Sequence, residues 1–170
     1  MTLRQIVTIP EPVLRRKARK VTDFGPEFQS LVEDMTETMR EAPGVGLSAP
    51  QIEESVRLIV VEYGDEEKEN SHLRLYVVVN PEITRSSQET EMGIEGCLSV
   101  PGFAGDVVRP LSITIKGQNR YGRPMRIKAD DWLARIFQHE IDHLNGVLFI
   151  DRAERVWEVT GPVAQAILKD

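Results

Sequence analysis

The sequence element that constrains this chain most is QHEIDH, from Gln138 to His143. It contains two of the three histidines in the chain, His139 and His143, and Glu140 directly follows the first of them. Residues four apart lie one above the other on the same face of an α-helix, about 6 Å apart along its axis. The segment therefore predicts a helix that presents two imidazoles to one metal ion, with a carboxylate beside them.

The flanking sequence favours a helix from Asp130 to Leu144, because apolar residues recur along one stripe and Asn145-Gly146 follows the last of them. Glu140 falls in the middle of that stripe, where a carboxylate is costly unless it is paired or neutralised. We expect it to be buried with a raised pKa, as a catalytic acid/base beside a metal would be. Asp142 falls opposite the stripe, so we expect it to be exposed or to contact a ligand residue from behind.

Two histidines do not complete a catalytic metal site, which takes three protein ligands and leaves one position open. Downstream of His143 the candidate ligands are Glu154 and Glu158, which come early for that geometry. Upstream stands Cys97, the single cysteine, which is either a small buried apolar residue or a thiolate ligand. The residues alone leave open a Cys97 metalloenzyme, an HExxH-type zinc peptidase with a glutamate ligand, and a non-catalytic metal-stabilised binding module.

Three blocks, in this order, resemble the peptide deformylases. They are GVGLSAPQ (Gly44 to Gln51), EGCLS (Glu95 to Ser99) and QHEIDH. The opening TIPEPVLRRKARKV, from Thr8 to Val21, is also similar to the family. The resemblance covers roughly residues 3–150 of a single catalytic domain, 1–170, and leaves 151–170 as a divergent tail. One departure is Ser48, where the family most often has alanine.

The resemblance implies a metal-dependent hydrolase that removes the N-formyl group from the N-terminal formylmethionine of newly made polypeptides and releases formate. At the matching positions Cys97, His139 and His143 would bind one divalent ion. Fe²⁺ is the expected ion, with Zn²⁺, Ni²⁺ or Co²⁺ as substitutes. The N-formylmethionyl peptide would be the principal partner.

The same resemblance assigns further roles. Glu140 would be the general acid/base, and the Gln51 side-chain amide and the Leu98 backbone N–H would stabilise the oxyanion. The implied substrate-binding residues are Gly44, Val45, Gly46, Gly96 and Ile136. Glycines let a backbone approach a ligand closely, so an extended peptide could pair along this segment as an added strand. The simpler interpretation of Gly44 to Gly46 is a turn after the preceding helix, and that of Ile136 is ordinary core packing.

Charge and composition limit the partners. A net charge of −6 argues against a nucleic-acid substrate, and the chain has no apolar run of about 18 residues that would cross a membrane. One reduced cysteine agrees with a cytoplasmic location. Transient ribosome association is not favoured by the tail, whose Arg152, Arg155 and Lys169 are outnumbered by acids and which Gly161-Pro162 interrupts.

The expected fold is α+β, with antiparallel β-strands wrapped around a central metal-binding helix. The periodicity predicts a further helix from Pro26 to Ala42, with Met35 and Met39 in the core. Predicted strands are Arg57 to Tyr63, Arg74 to Asn80, and Leu111 to Lys116 with Met125 to Lys128 as its hairpin partner. Gly64 to His72 is expected to be a solvated loop. For Arg109 we favour a surface position over contact with the carbonyls of a bound peptide.

Overall fold

The computed structural model describes residues 2–64, 69 and 72–160. Its helices are α1 (Pro26–Glu41), α2 (Asp131–Leu144) and α3 (Phe149–Arg152), with 3-10 turns at Pro12–Arg15 and Ala49–Ile52. The strands are β1 (Gly46–Ser48), β2 (Leu58–Tyr63), β3 (Arg74–Ser86), β4 (Thr90–Cys97), β5 (Val100–Pro110), β6 (Ser112–Gln118), β7 (Pro124–Asp130) and β8 (Arg155–Glu158). The predicted α+β class is confirmed.

The strands form two antiparallel sheets. The larger sheet has five strands in the order β1-β2-β3-β6-β7, and the smaller has three in the order β4-β5-β8. The short strand β1 lies at an edge, where it pairs with β2 through Gly46↔Val61, Leu47↔Val60 and Ser48↔Ile59. Among the residues described, the opposite edge of β1 carries no strand.

Helices α1 and α2 cover opposite faces of the larger sheet. In β2, Ile59 belongs to the core cluster that contains Phe137 of α2. Its neighbour Val60 belongs to the cluster that contains Met35 and Met39 of α1. Successive side chains of a strand point to opposite faces, so one strand feeds both cores. The prediction that the two methionines are core residues is confirmed.

Helix α2 lies between the two sheets. Every residue from Ala134 to Leu144 is buried. The helix ends at Asn145-Gly146, with Gly146 in the left-handed region at φ 73°. The Nη1 atom of Arg57 donates to the Leu144 carbonyl at 2.9 Å and satisfies one of the free carbonyls at this end. The predicted central helix is therefore confirmed to within one residue.

Several predicted boundaries differ from the structure. Strand β3 continues past Asn80 to Ser86, because its polar side chains can face solvent while the backbone keeps its pairing with β6. The acidic loop lies largely outside the described residues, as does the predicted break at Gly161-Pro162. No helix among the described residues is long and apolar enough to span a membrane.

Candidate metal centre

Cys97, at the end of β4, meets His139 and His143 of α2. Their ligand atoms all lie within 4.8 Å of one another, and Cys97 Sγ is 3.4 Å from His143 Nε2. All three side chains are buried. A tetrahedral ion bonded at about 2.3 Å to sulfur and about 2.1 Å to nitrogen places two such donors roughly 3.5 Å apart. One sulfur and two imidazoles at this spacing fit a divalent metal ion.

A tight hairpin brings the cysteine to the helix. Strands β4 and β5 pair up to Gly96↔Ala104, and then the register shifts so that Cys97 pairs with Val100 across the two residues Leu98 and Ser99. A shift of this kind bends a strand and redirects its side chains. It places the thiol on the α2 side of the smaller sheet, where Cys97 joins the core cluster of Val107, Leu148 and Phe149.

Four buried polar atoms in this centre have no hydrogen-bond partner among the described residues. They are His139 Nε2, His143 Nδ1 and both carboxylate oxygens of Glu140. Buried polar atoms are rarely left unpaired, since each costs the free energy of its lost hydration. The free Nε2 atom of His139 is the nitrogen that an ion between the three ligand residues would bind, while the Glu140 carboxylate lies under Gly46 of β1.

The environment of Glu140 suits a group that exchanges protons near neutral pH. Burial raises its pKa to about 7, against an opposing effect of His139. The side chain is 0% exposed, and its fit depends on Gly46 of β1. A Cβ atom at Gly46 would lie 2.5 Å from Glu140 Oε2. The glycine therefore lets β1 pass directly over the carboxylate.

The two imidazoles are unlike in their protonation. Burial would lower the pKa of His139, but its contacts with Cys97 and Glu95 outweigh burial and raise that pKa well above its usual range. Burial, together with the charge of His139, lowers the pKa of His143. A metal ion needs both rings neutral, so metal binding competes with a proton at His139 and weakens as pH falls.

Glu95 orients His139. Its Oε1 atom is 2.8 Å from His139 Nδ1, which leaves Nε2 directed at the donor group. Glu95 also accepts two hydrogen bonds from Arg109, at 2.6 and 2.8 Å, and one from Arg135 at 2.8 Å. Burial alone would raise the pKa of Glu95, but the hydrogen bonds from Arg109 and His139 hold it well below its usual range.

The charge network extends to the surface through Asp142. Arg109 Nη1 donates to Asp142 Oδ2 at 3.0 Å, and Arg152 of α3 binds the same carboxylate through Nε at 2.6 Å and Nη2 at 2.9 Å. The surface position favoured for Arg109 is therefore wrong, as is the exposure considered for Asp142, since they are 3% and 8% exposed. Each is buried because its charge is compensated by the other and by Glu95 or Arg152.

The Gln51 amide is held by two serines. Its Oε1 atom accepts from the backbone N–H of Ser48 at 3.1 Å and from the Ser48 hydroxyl at 3.0 Å. Its Nε2 atom donates to Ser99 Oγ at 3.2 Å and lies 3.6 Å from Cys97 Sγ. The N–H groups of the Gln51 amide are therefore directed toward the metal-ligand residues. Leu98, the residue after Cys97, is partly exposed in the hairpin turn.

The predicted substrate-binding residues occupy two places. Gly44 follows α1 and donates to the Met39 carbonyl at 2.6 Å, so it does form a turn after that helix. Val45 accepts a hydrogen bond from Glu62 N at 2.9 Å and leads into β1. Ile136 is buried in the α2 core, as its simpler interpretation requires.

The glutamates considered for a zinc peptidase lie elsewhere. Glu154 and Glu158 are exposed, and the metal-binding group found among the described residues is completed by Cys97. The roles of Glu95 and Ser99 were not recognised from the sequence. For Arg109 a signal was present: it stands two residues after Val107, and alternate residues of a strand face the same side.

The chain is similar to known proteins along nearly its whole length. A family model described as polypeptide deformylase matches residues 3–158. The peptide deformylases of Natranaerobius thermophilus and Halothermothrix orenii are 48% and 49% identical to it, over 92% and 93% of this chain and 96% and 98% of theirs. These matches include β1, the Cys97 hairpin and α2.

Solved structures give the same result. The crystal structure of peptide deformylase from Thermotoga maritima has a TM-score of 0.82 and 39% identity, covering 91% of this chain and 100% of that one. The peptide deformylase from Synechococcus elongatus in complex with actinonin has a TM-score of 0.79 and 41% identity, covering 88% and 78%.

Proposed function

The chain belongs to the polypeptide deformylase family, and on that premise we propose that it hydrolyses the formyl group from N-formylmethionyl peptides and releases formate. The observation that carries the proposal is the convergence of Cys97, His139 and His143 beside the unpaired carboxylate of Glu140. The resemblance predicted from three sequence blocks is thereby confirmed, and the peptidase interpretation is not favoured. The match to residues 3–158 supports one catalytic domain.

Cys97, His139 and His143 would hold the divalent ion. When bound, it supplies Lewis acidity and lowers the pKa of a coordinated water. We propose Fe²⁺ as the native ion, with Zn²⁺, Ni²⁺ or Co²⁺ as substitutes, because a thiolate and two imidazoles suit borderline divalent metals. Metal analysis of protein purified without oxygen would test this choice.

Glu140 moves the proton. As a carboxylate it accepts a proton from the attacking water, and as a carboxylic acid it returns that proton to the amine that leaves the formyl carbon. A pKa near 7 lets the same group do both at neutral pH. Its position under β1, without a hydrogen-bond partner among the described residues, keeps both oxygens available to reactants.

Gln51 and Leu98 would stabilise the charge that develops on the formyl oxygen. The Gln51 amide already points at the donor group, and Leu98 follows the cysteine in a turn, where its N–H is close to the ligand sulfur in the chain. Two oriented donors in a dry site stabilise such an oxyanion well, and losing one typically costs about 10²–10³ in rate.

The peptide would bind along the edge of β1. This edge runs over Glu140 at Gly46, so an extended chain paired there brings its amino terminus to the acid/base group. Val45, which leads into β1, and Gly96, which precedes Cys97 in β4, would also contact the peptide. Ile136, one turn before His139, would contribute to the floor of a methionine pocket as well as to the core. Residues after the formylmethionine would be held mainly by backbone pairing, which is independent of their side chains.

We further propose a cytoplasmic location, where newly made formylated chains arise. In the described tail α3 ends at Arg152 and β8 joins the smaller sheet, and Arg152 and Arg155 pair with Asp142 and Asp106 rather than lying together on a basic helix. This arrangement supports packing against the body over ribosome docking by residues 151–158.

A formate-release assay on a formyl-methionyl peptide tests the proposal. The wild type should release formate, and Glu140→Ala should lose at least about 100-fold in kcat/KM while keeping its metal. Glu154→Ala, which removes an exposed glutamate, is the matched control and should retain activity. Cys97→Ser should lose or alter metal binding. Full activity in Glu140→Ala, or dependence on Glu154, would refute the assignment.

A further inference from the structure

The orientation of the Gln51 amide is set by Ser48. A side-chain amide can present either its oxygen or its nitrogen to a given point, and only the N–H end can stabilise an oxyanion. The backbone N–H of Ser48 is a donor in any state of the protein, so the group 3.1 Å from it must be Oε1. The other end, Nε2, then faces Ser99 and Cys97.

The hydroxyl of Ser48 adds a second donor to the same oxygen, at 3.0 Å. The contacts of Nε2 with Ser99 and Cys97 hold one end of the amide, and at the oxygen end two donors restrict its last torsion more than the backbone N–H alone would. Ser48 is 0% exposed and Gln51 3% exposed, so solvent has little access to replace a lost donor. Ser48 is also fixed by its pairing with Ile59, because it is the last residue of β1.

We propose that Ser48 is a positioning residue, whose hydroxyl and backbone N–H together clamp Gln51 with its N–H directed at the substrate oxygen. This inference rests on the proposed oxyanion role of Gln51. Alanine at this position would keep the backbone donor and lose the hydroxyl. The chain would thus hold its amide more tightly than an alanine-containing site does.

A double-mutant cycle tests the clamp. Wild type, Ser48→Ala, Gln51→Ala and the double variant are compared on a formyl-methionyl peptide, with kcat and KM measured separately and metal content verified. Ser48→Ala should lower kcat roughly 5-fold with KM little changed, well short of the ~10²-fold loss from removing the Gln51 donor itself. In the Gln51→Ala background the serine change should have no further effect.

Thr36→Ala is the matched control. Thr36 is a buried hydroxyl that donates to the Val32 carbonyl at 2.8 Å within α1, away from the metal centre. The Thr36→Ala variant shows how much the loss of a buried hydroxyl by itself lowers the thermal midpoint, and its kcat should equal that of the wild type.

The possible results separate the two ideas. If Ser48→Ala lowers kcat equally in both backgrounds, or leaves it unchanged in the wild-type background, the clamp is refuted while the role of Gln51 stands. If Gln51→Ala alone retains full kcat, the proposed oxyanion role fails and the clamp fails with it. Loss of kcat confined to the background that contains Gln51 supports the inference.

Discussion

Glu95 and Glu140 are both 0% exposed, yet their surroundings are opposite. Glu95 accepts from three side chains, Arg109, Arg135 and His139. Glu140 has no hydrogen-bond partner among the described residues. The pKa of the first is held below its usual range, while that of the second rises to about 7. The protein thus uses one buried carboxylate as a permanent charge and keeps the other free to exchange a proton.

A glycine accommodates each arrangement. At Gly93 an added Cβ would lie 2.7 Å from Cζ of Arg135, which pairs with Glu95. At Gly46 it would lie 2.5 Å from Oε2 of Glu140. Both glycines make room for a buried charged side chain, but only one of those side chains is at the reacting end of the site. Changes at the two regions should therefore affect different measurements.

Glu95→Gln should have the largest effect. It leaves the buried guanidinium of Arg135 without a carboxylate and that of Arg109 with Asp142 alone, and breaking a buried pair typically costs about 3–5 kcal/mol of unfolding free energy. It also releases the ring of His139, so metal affinity should fall about 10- to 100-fold. Urea unfolding and chelator competition measure both. An unfolding free energy within about 1 kcal/mol of the wild type would contradict the network role.

Glu140→Gln should stabilise the metal-free protein at neutral pH. The folded carboxyl has a pKa of about 7 against an ordinary 4.5. Below the ordinary pKa both the folded and unfolded carboxyls are protonated and no stability is lost; as pH rises toward 7 only the unfolded state ionises readily, and stability falls. The advantage of the glutamine variant should therefore grow between these pH values to roughly 3 kcal/mol and then level off.

Chemical unfolding of chelator-treated protein at a series of pH values measures this difference. Glu154→Gln, a change at an exposed glutamate, serves as the control and should run parallel to the wild type. Glu95 contributes with the opposite sign, since a lowered pKa stabilises above the ordinary value and that stability is lost as pH falls. If the gain in unfolding free energy from Glu140→Gln were independent of pH, the pKa of Glu140 would not be raised in the folded protein.

Gly46→Ala should separate the two regions by activity. The added methyl displaces the Glu140 carboxylate, and we expect kcat/KM to fall roughly 10- to 100-fold, because small misplacements of a catalytic group are costly. Metal affinity should be nearly unchanged. Gly93→Ala is the matched substitution, which should lower the unfolding free energy and metal affinity through Arg135. If both variants changed kcat/KM, metal affinity and unfolding free energy equally, the surroundings of Glu95 and Glu140 would not have separate roles.

Arg152→Ala should have the smallest effect. The guanidinium is about half exposed, so its bond to Asp142 is screened by solvent and worth no more than about 1 kcal/mol. Arg155→Ala is the control: it removes a longer and more exposed pair, with Asp106, that has no link to Glu95. Metal affinity should weaken slightly in the first variant and stay constant in the second. A large loss in either would show that the network reaches further than Asp142.

Helix α2 could be predicted from the sequence because its periodicity, its stop signal and its histidine pair agree. The strands with alternating or continuous Val and Ile were also recognisable. The burial of Asp142 could not be predicted, because a helical wheel assumes that one side of a helix faces solvent, and α2 has no such side from Ala134 onward. Its polar side faces the smaller sheet, whose position depends on contacts distant in sequence.

The metal donors were recognisable because Cys97 is unique and the histidines are paired. The charge network was not, because Glu95, Arg109, Asp142 and Arg152 come from four different elements and no local pattern joins them. A buried arginine in a strand looks like a surface arginine until its carboxylate partners are located. The register of the Cys97 hairpin places Arg109 opposite Glu91, on the same face of the smaller sheet as Glu95, where the two side chains meet.

Strand β1 is three residues long. An added strand can pair with so short an edge over only two or three residues, and such pairing engages the main chain common to every polypeptide. We expect an enzyme with this edge to be a generalist, tolerant of whatever follows the first residue. Discrimination would then depend on the formylmethionine at the amino terminus of the substrate.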